Sequence, residues 1–353
     1  MAYTTINKSS EHFDTKIYTG NGSSQTLDMD NLGLLWMKNR TEASNHNLFD
    51  VVRGGYYTSA PGPNLRSNGT TAAGGSDITS AYGITFGSSS STIGSDGGGY
   101  NYNQNSKSYV GWQWRANGTG SANTDGSITS TVSVNTTAGF SIVKYAGSNS
   151  NVTVGHGLGV APKMILIKNL SSVTSWTVYH ESIGNDKRLV LNTEGAQEGT
   201  NQFSFGTSPT SSVFALGGGY GDVCTSGADY IAYCFAEKQG FSKFNSYSGA
   251  GSNLPFIYTG FKPAFVMIKR SDVSDNWNIF DNKRNEFNLT DKRLYPNSNS
   301  AELTASSVSL DLLSNGFKLR GTDSQINNSS GTYIYMCFGQ SIVGSNNIPA
   351  TAR

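Results

Sequence analysis

The residues of this sequence that could do chemistry are four histidines, three cysteines and a pair of Phe-Asp-x-x-Arg elements. His12, His46, His156 and His180 stand at no recognised metal-ligand spacing from another ligand type. Cys224, Cys234 and Cys337 give neither a disulfide framework nor a zinc pattern. The Asp-Arg elements are Phe49, Asp50, Arg53 and Phe280, Asp281, Arg284, at one shared spacing. Such a pair forms a bidentate hydrogen-bonded contact that fixes a turn. Glycosidase chemistry instead needs two carboxylates flanking a cleft, and the recurrence of this element favours a structural role. Two Gly-rich stretches, "GGGYN" (97–101) and "GGGYG" (217–221), lack the lysine of a phosphate-binding loop. They present Tyr100, Tyr102 and Tyr220 as candidate glycan contacts, because an amphipathic ring offers contact area at low entropy cost. The plainer alternative is a flexible loop with an incidental aromatic.

Three lysines organise the chain around these residues. "LLWMK", "KMILIK" and "AFVMIK" are apolar runs that stop at Lys38, Lys168 and Lys269. A continuous apolar run of this length reads as a strand buried on both faces. The lysine is expected where the strand leaves the core, its stem covering the edge and its ammonium in water. Replacing a lysine of that kind changes stability by less than about 1 kcal/mol.

At matching distances beyond each lysine lie His46, Trp176 and Trp277, then Phe49, Tyr179 and Phe280. "LRSN" (65–68), "LVLN" (189–192) and "LYPN" (294–297) follow, and then the aromatic strands "YVGWQW", "YIAYCF" and "YIYMCF". Upstream sit Tyr18, Tyr145 and Tyr247, each before a Gly-containing turn. A unit of about 100 residues therefore occurs three times. His46 and His180 fall on packing and loop-holding positions of that unit. The closing strands alternate, with Val110, Trp112, Trp114, then Ile231, Tyr233, Phe235, then Ile334, Met336, Phe338 on one face. Cys234 and Cys337 fall on the other face and read as small core residues.

The composition suits many short strands joined by turns: 42 glycines, 11% aromatic residues and only 14% charged ones. Helical spacing is scarce, with at most a turn near "TTAAGG" or "AELTAS". The expected fold is all-β, three tandem antiparallel β-sandwich (jelly-roll-like) units. The expected boundaries are an N-terminal arm 1–12, unit one 13–116, a linker 117–138 with at most one short strand, unit two 139–240, unit three 241–345 and a tail 346–353. A net charge of +1 argues against a nucleic-acid partner. No apolar run approaches the roughly 18 residues of a membrane span, and "MAYTTINKSS" has no secretory apolar segment.

"HFDTKIYTGNGSSQTL", "LLWMKNR", "HNLFDVVRG" and "YVGWQW" together resemble a β-rich repeat domain of virion structural, tail-fibre-like proteins of marine tailed phages, especially cyanophages. Tyr18 to Gly22, Trp36, Lys38, Arg40, Phe49 to Gly54 and Tyr109 to Trp114 carry the likeness. The sequence departs from that pattern at "MDNLGLL", where a Pro-Asp is missing; Pro162 and Pro263 supply the proline in the later units. The resemblance implies no cofactor and no defined activity. It implies a place in a particle: the tail-fibre or tail-tip adsorption apparatus, or a capsid decoration. Such a protein assembles in host cytoplasm and leaves by lysis. It contacts other virion proteins and occupies symmetric sites, with a trimer or hexamer expected. Two further readings stand beside this one: a receptor module for host-surface glycan, and a host polysaccharide depolymerase.

Overall fold

The computed structural model describes residues 4–29, 33–54, 64–73, 83–87, 90–95, 101–199, 207–252 and 254–341. Nearly all regular structure is antiparallel β. Three four-strand arrangements share one order: opening strand, closing strand, lysine strand, return strand. In unit one these are Phe13–Thr19, Ser108–Arg115, Gly33–Asn39 and Asn47–Asp50. In unit two they are Phe140–Ala146, Asp229–Phe235, Met164–Asn169 and Thr177–His180. In unit three they are Ser242–Ser248, Thr332–Ser341, Phe261–Arg270 and Trp277–Asp281. Register is shared as well, since Trp36 faces Trp112, Leu166 faces Tyr233 and Met267 faces Met336.

Period-two alternation splits each sheet into two faces. The outer face is covered by a smaller sheet, such as Val152–Gly155 with Val213–Leu216 over unit two. That sandwich buries Val143, Ile165, Ile167, Cys234, Val154 and Phe214 in one core. The corresponding core of unit three gathers Val266, Ile268, Cys337, Leu310 and Phe317. The inner faces of all three large sheets meet one another in a single larger core. Trp114, Phe235 and Phe338 hold equivalent strand positions and close a triangle, with ring centroids 6.0, 5.7 and 6.0 Å apart. The chain thus folds about an internal three-fold arrangement.

The tyrosine before each turn repeats the same local device. Tyr18 stacks on Tyr109, Tyr145 on Tyr230 and Tyr247 on Tyr333, with centroids 5.0, 5.2 and 4.9 Å apart. Their hydroxyls donate to the carbonyls of Tyr102, Val223 and Ile326. The following glycine, Gly20, Gly147 or Gly249, lies so close to the returning chain that a Cβ would sit 2.2, 2.3 or 2.1 Å from a backbone oxygen. Gly147→Ala must therefore displace backbone, and we expect it to lower unfolding free energy by about 1–3 kcal/mol. Equilibrium denaturation measures this; an unchanged midpoint would mean that the turn yields freely.

Several expectations are corrected. The stretch 117–138 is not a linker. It forms Ser121–Asn123 and Ser130–Asn135, which extend unit two's sheet beyond its opening strand. The arm is docked in its described part: Ile6 is buried in the large core, and the Ser9 amide donates to the Gln340 side chain at 2.9 Å. "AELTAS" holds no helical turn; Leu303–Thr304 pairs there with Lys292–Arg293. The tail 346–353 lies outside the described residues.

Candidate functional site

The three lysines do not reach water. Lys38, Lys168 and Lys269 are 1%, 0% and 0% exposed. Each lies on the inner face of its strand; at Lys168 and Lys269 a carbonyl of the neighbouring unit meets the ammonium, and at Lys38 the carbonyls are its own unit's. The Lys168 ammonium donates to Thr70 O of unit one at 3.1 Å and to Thr174 O at 2.8 Å. That of Lys269 donates to Glu194 O of unit two at 3.1 Å and to Arg270 O at 2.5 Å. Lys38 bonds the carbonyls of Asn39 and Glu42 at 2.6 and 3.4 Å. Burial lowers the Lys38 ammonium to about 7, with Glu302 of unit three opposing the shift. Burial likewise brings Lys168 and Lys269 to about 8. The expected solvated strand end is overturned because neighbouring units cover Lys168 and Lys269 and the following turn of unit one, with Glu302 of unit three nearby, covers Lys38.

The same seams recruit the other recurring positions. The side chains of Asn68, Asn192 and Asn297, which close the three L-x-x-N stretches, accept from the amides of His46, Trp176 and Trp277 at 2.9, 2.8 and 3.0 Å. Those three side chains then cross to a neighbouring unit. Trp176 donates to Arg66 O at 2.9 Å, Trp277 donates to Val190 O at 3.1 Å, and His46 Nε2 lies 2.9 Å from Tyr295 O. Burial holds His46 neutral, far below its usual range, so Nδ1 accepts from Trp36 while Nε2 donates. The seam between units one and three adds a bidentate Arg40–Glu302 pair, both contacts 2.8 Å.

The Asp-Arg elements are turn locks that also bind the units together. Asp50 accepts from the amides of Val52 and Arg53 at 3.0 and 2.8 Å, and from Arg53 Nε at 2.5 Å. Its second oxygen also receives the Tyr233 hydroxyl of unit two at 2.7 Å. Asp281 binds Lys283, Arg284 and Arg284 Nε in the same way, and receives Trp112 Nε1 of unit one at 3.0 Å. Burial pushes the Asp281 carboxyl up, but the Arg284 guanidinium overrides this and holds it below the usual range. Unit two has His180 at this position. Its Nδ1 accepts from Ser182 N and its Nε2 donates to Tyr335 O of unit three, and burial lowers it to about 4. Tyr233→Phe removes one bond to a buried carboxylate and should cost about 1.5–3 kcal/mol. A neutral result in chemical denaturation would show that this seam adds nothing.

The tyrosine loops fare differently. Tyr102 is fully buried, standing where units two and three carry Val223 and Ile326, so it is no glycan contact but a core residue. Tyr220 is half-buried against unit two's core, its carbonyl accepting from Val223 and Cys224. Tyr100 lies outside the described residues. All three cysteines are buried, and burial raises the thiols of Cys234 and Cys337. Among the described residues no group of three His, Cys, Asp or Glu could hold a metal ion, and no helix is long and apolar enough to cross a membrane.

The recurring polar groups thus act as crosslinks between units. Reading the sequence found the lysines, the histidines and the Asp-Arg elements but missed their partners Trp112, Tyr233 and Glu302. The alternation that put Trp112 and Tyr233 on the core-facing row was the available signal. Residues 8–341 match a family model described as a domain of unknown function (DUF7483). No curated protein and no solved structure matches the chain.

Proposed function

We propose, for a chain that belongs to the DUF7483 family, a non-enzymatic structural role in a phage particle, on the tail-fibre or tail-tip adsorption apparatus. What carries this reading is the ring of seams in which each unit is tied to the next two by buried polar bonds. A body of that kind transmits load and presents a fixed surface. The recurring carboxylates Asp50 and Asp281 are fully committed to holding it together. The resemblance supplies the particle, since Tyr18, Trp36, Lys38, Phe49, Asp50 and Trp112 are also residues that build unit one's core and seams. A body with three equivalent units suits a three-fold or six-fold site, so contacts with other particle proteins, and trimers or hexamers of the chain, belong to the same proposal.

Antibody-gold electron microscopy on intact particles tests it. Label at the tail is the expected result. Label over the capsid would move the protein to a decoration or appendage role. Particles that carry no label, from a lysate that contains the protein, would contradict the proposal.

A further inference from the structure

The three small outer sheets differ in what they show to solvent. The first strand of unit one's small sheet presents Thr26, and that of unit two presents Thr153. In unit three the strand Phe256–Tyr258 presents two aromatic rings instead, 44% and 60% exposed, with Ile257 turned inward between them. Residues two apart on a strand share a face and stand about 7 Å apart.

Register extends this face across the sheet. Phe256 lies opposite Lys318, and Lys318 opposite Asp311; Tyr258 lies opposite Gly316, and Gly316 opposite Leu313. Directly opposed residues point to the same side. Gly316 lets the first ring lie flat, because a Cβ there would meet Phe256 ring atoms at 2.7 and 2.9 Å. Asp311 then joins the platform to a surface pocket of about 540 Å³, walled also by Asn288, Ser306, Ser307 and Arg320. Arg320 and Asp311 are 3.6 Å apart, so the pocket's charges are balanced.

We propose that this face of unit three is a saccharide-binding site that takes a neutral pyranose chain. The aromatic rings match the apolar faces of sugar rings, as amphipathic rings do at wet interfaces. The amide, hydroxyl and paired charged groups of the pocket match hydroxyls that both donate and accept. The pocket's own charges are paired, which suits a neutral chain, while Lys318 adds one positive charge to the platform beside it. The exposed ring area is on the order of 200 Å², enough for a few stacked sugar rings.

The site goes beyond the particle role, and the two can fail separately, because binding is measured on the purified chain. The test is affinity electrophoresis in native gels cast with dextran, laminarin, mannan or hydroxyethyl cellulose. The full-length protein is compared with a Phe256→Ala/Tyr258→Ala double variant and with Val173→Ala, which alters an exposed apolar side chain of unit two. The double variant should melt slightly lower, because Phe256 is partly covered and lies against Gly316, so binding is compared where all three proteins are folded. The expected result is retardation by at least one polymer, kept in Val173→Ala and weakened at least tenfold in the double variant. Retardation by none of the four polymers, or retardation retained by the double variant, would overturn the assignment.

Discussion

Asp50→Ala should lower the unfolding free energy by about 3–5 kcal/mol, the range for removing one partner of a buried ion pair. The carboxylate is fully buried, and the Arg53 side chain that faces it is 3% exposed. The substitution removes the carboxylate that faces this guanidinium, withdraws acceptors from the Val52 and Arg53 amides, and takes the carboxylate acceptor from the Tyr233 hydroxyl of the neighbouring unit. Asp281→Ala should cost a comparable amount, since its local geometry is the same and Arg284 is likewise buried, 3.4 Å from Glu302. Denaturant titration of both variants gives the comparison, and Asp50→Ala/Arg53→Met should regain part of the loss because no charge is then left buried. Equal and small losses in both single variants would mean that water enters these turns.

Stability should rise from pH 7 to pH 9 by roughly 3 kcal/mol, the gain from three lysines less the loss from three buried thiols that ionise in the unfolded chain. Burial brings Lys38 to about 7 and Lys168 and Lys269 to about 8, from the 10.5 of a solvated lysine. Below pH 7 both folded and unfolded chains hold these protons, and the full cost of three buried ammoniums is present. Above it the folded chain releases protons that the unfolded chain still binds, so the unfolding free energy increases with pH. The trend reverses above about pH 9 to 10. There the unfolded chain ionises its cysteines and tyrosines, while burial keeps Cys337, Tyr145, Tyr233 and Tyr247 protonated in the fold. Urea midpoints at intervals from pH 6.5 to 10.5 test this, and Lys38→Met should flatten the rising limb. A flat profile in the parent protein would show that the ammoniums stay charged, satisfied by their carbonyls.

Spacing made the repeated unit legible. The lysines, the F-D-x-x-R elements, the L-x-x-N stretches and the alternating closing strands all fall at equivalent places in the fold. What covers them was not legible where the cover comes from a different unit. Lys168 looks like a strand-end cation until Thr70 of unit one lies over it. "STVSVN" was hidden inside a polar Gly/Ser/Thr/Asn stretch, yet it pairs with the opening strand of unit two, from Tyr145 opposite Ser130 to Phe140 opposite Asn135. Tyr102 looked like a loop aromatic because unit one alone puts a tyrosine at a position where the others put Val223 and Ile326. Phe256 and Tyr258 carry no signal in the sequence, since three apolar residues in a row have no alternation, and only the sheet shows that the outer two face solvent.

The central claim is that three equivalent units close into one body through buried seams. Differential scanning calorimetry of the full chain tests this most directly, by comparing the calorimetric enthalpy with the van't Hoff enthalpy. One transition with the two enthalpies equal is expected, and a broadened one in Asp50→Ala, which loses one of the bonds between units one and two. Three separable transitions in the parent protein, each with about a third of the total enthalpy, would mean that the units fold independently, and would contradict it.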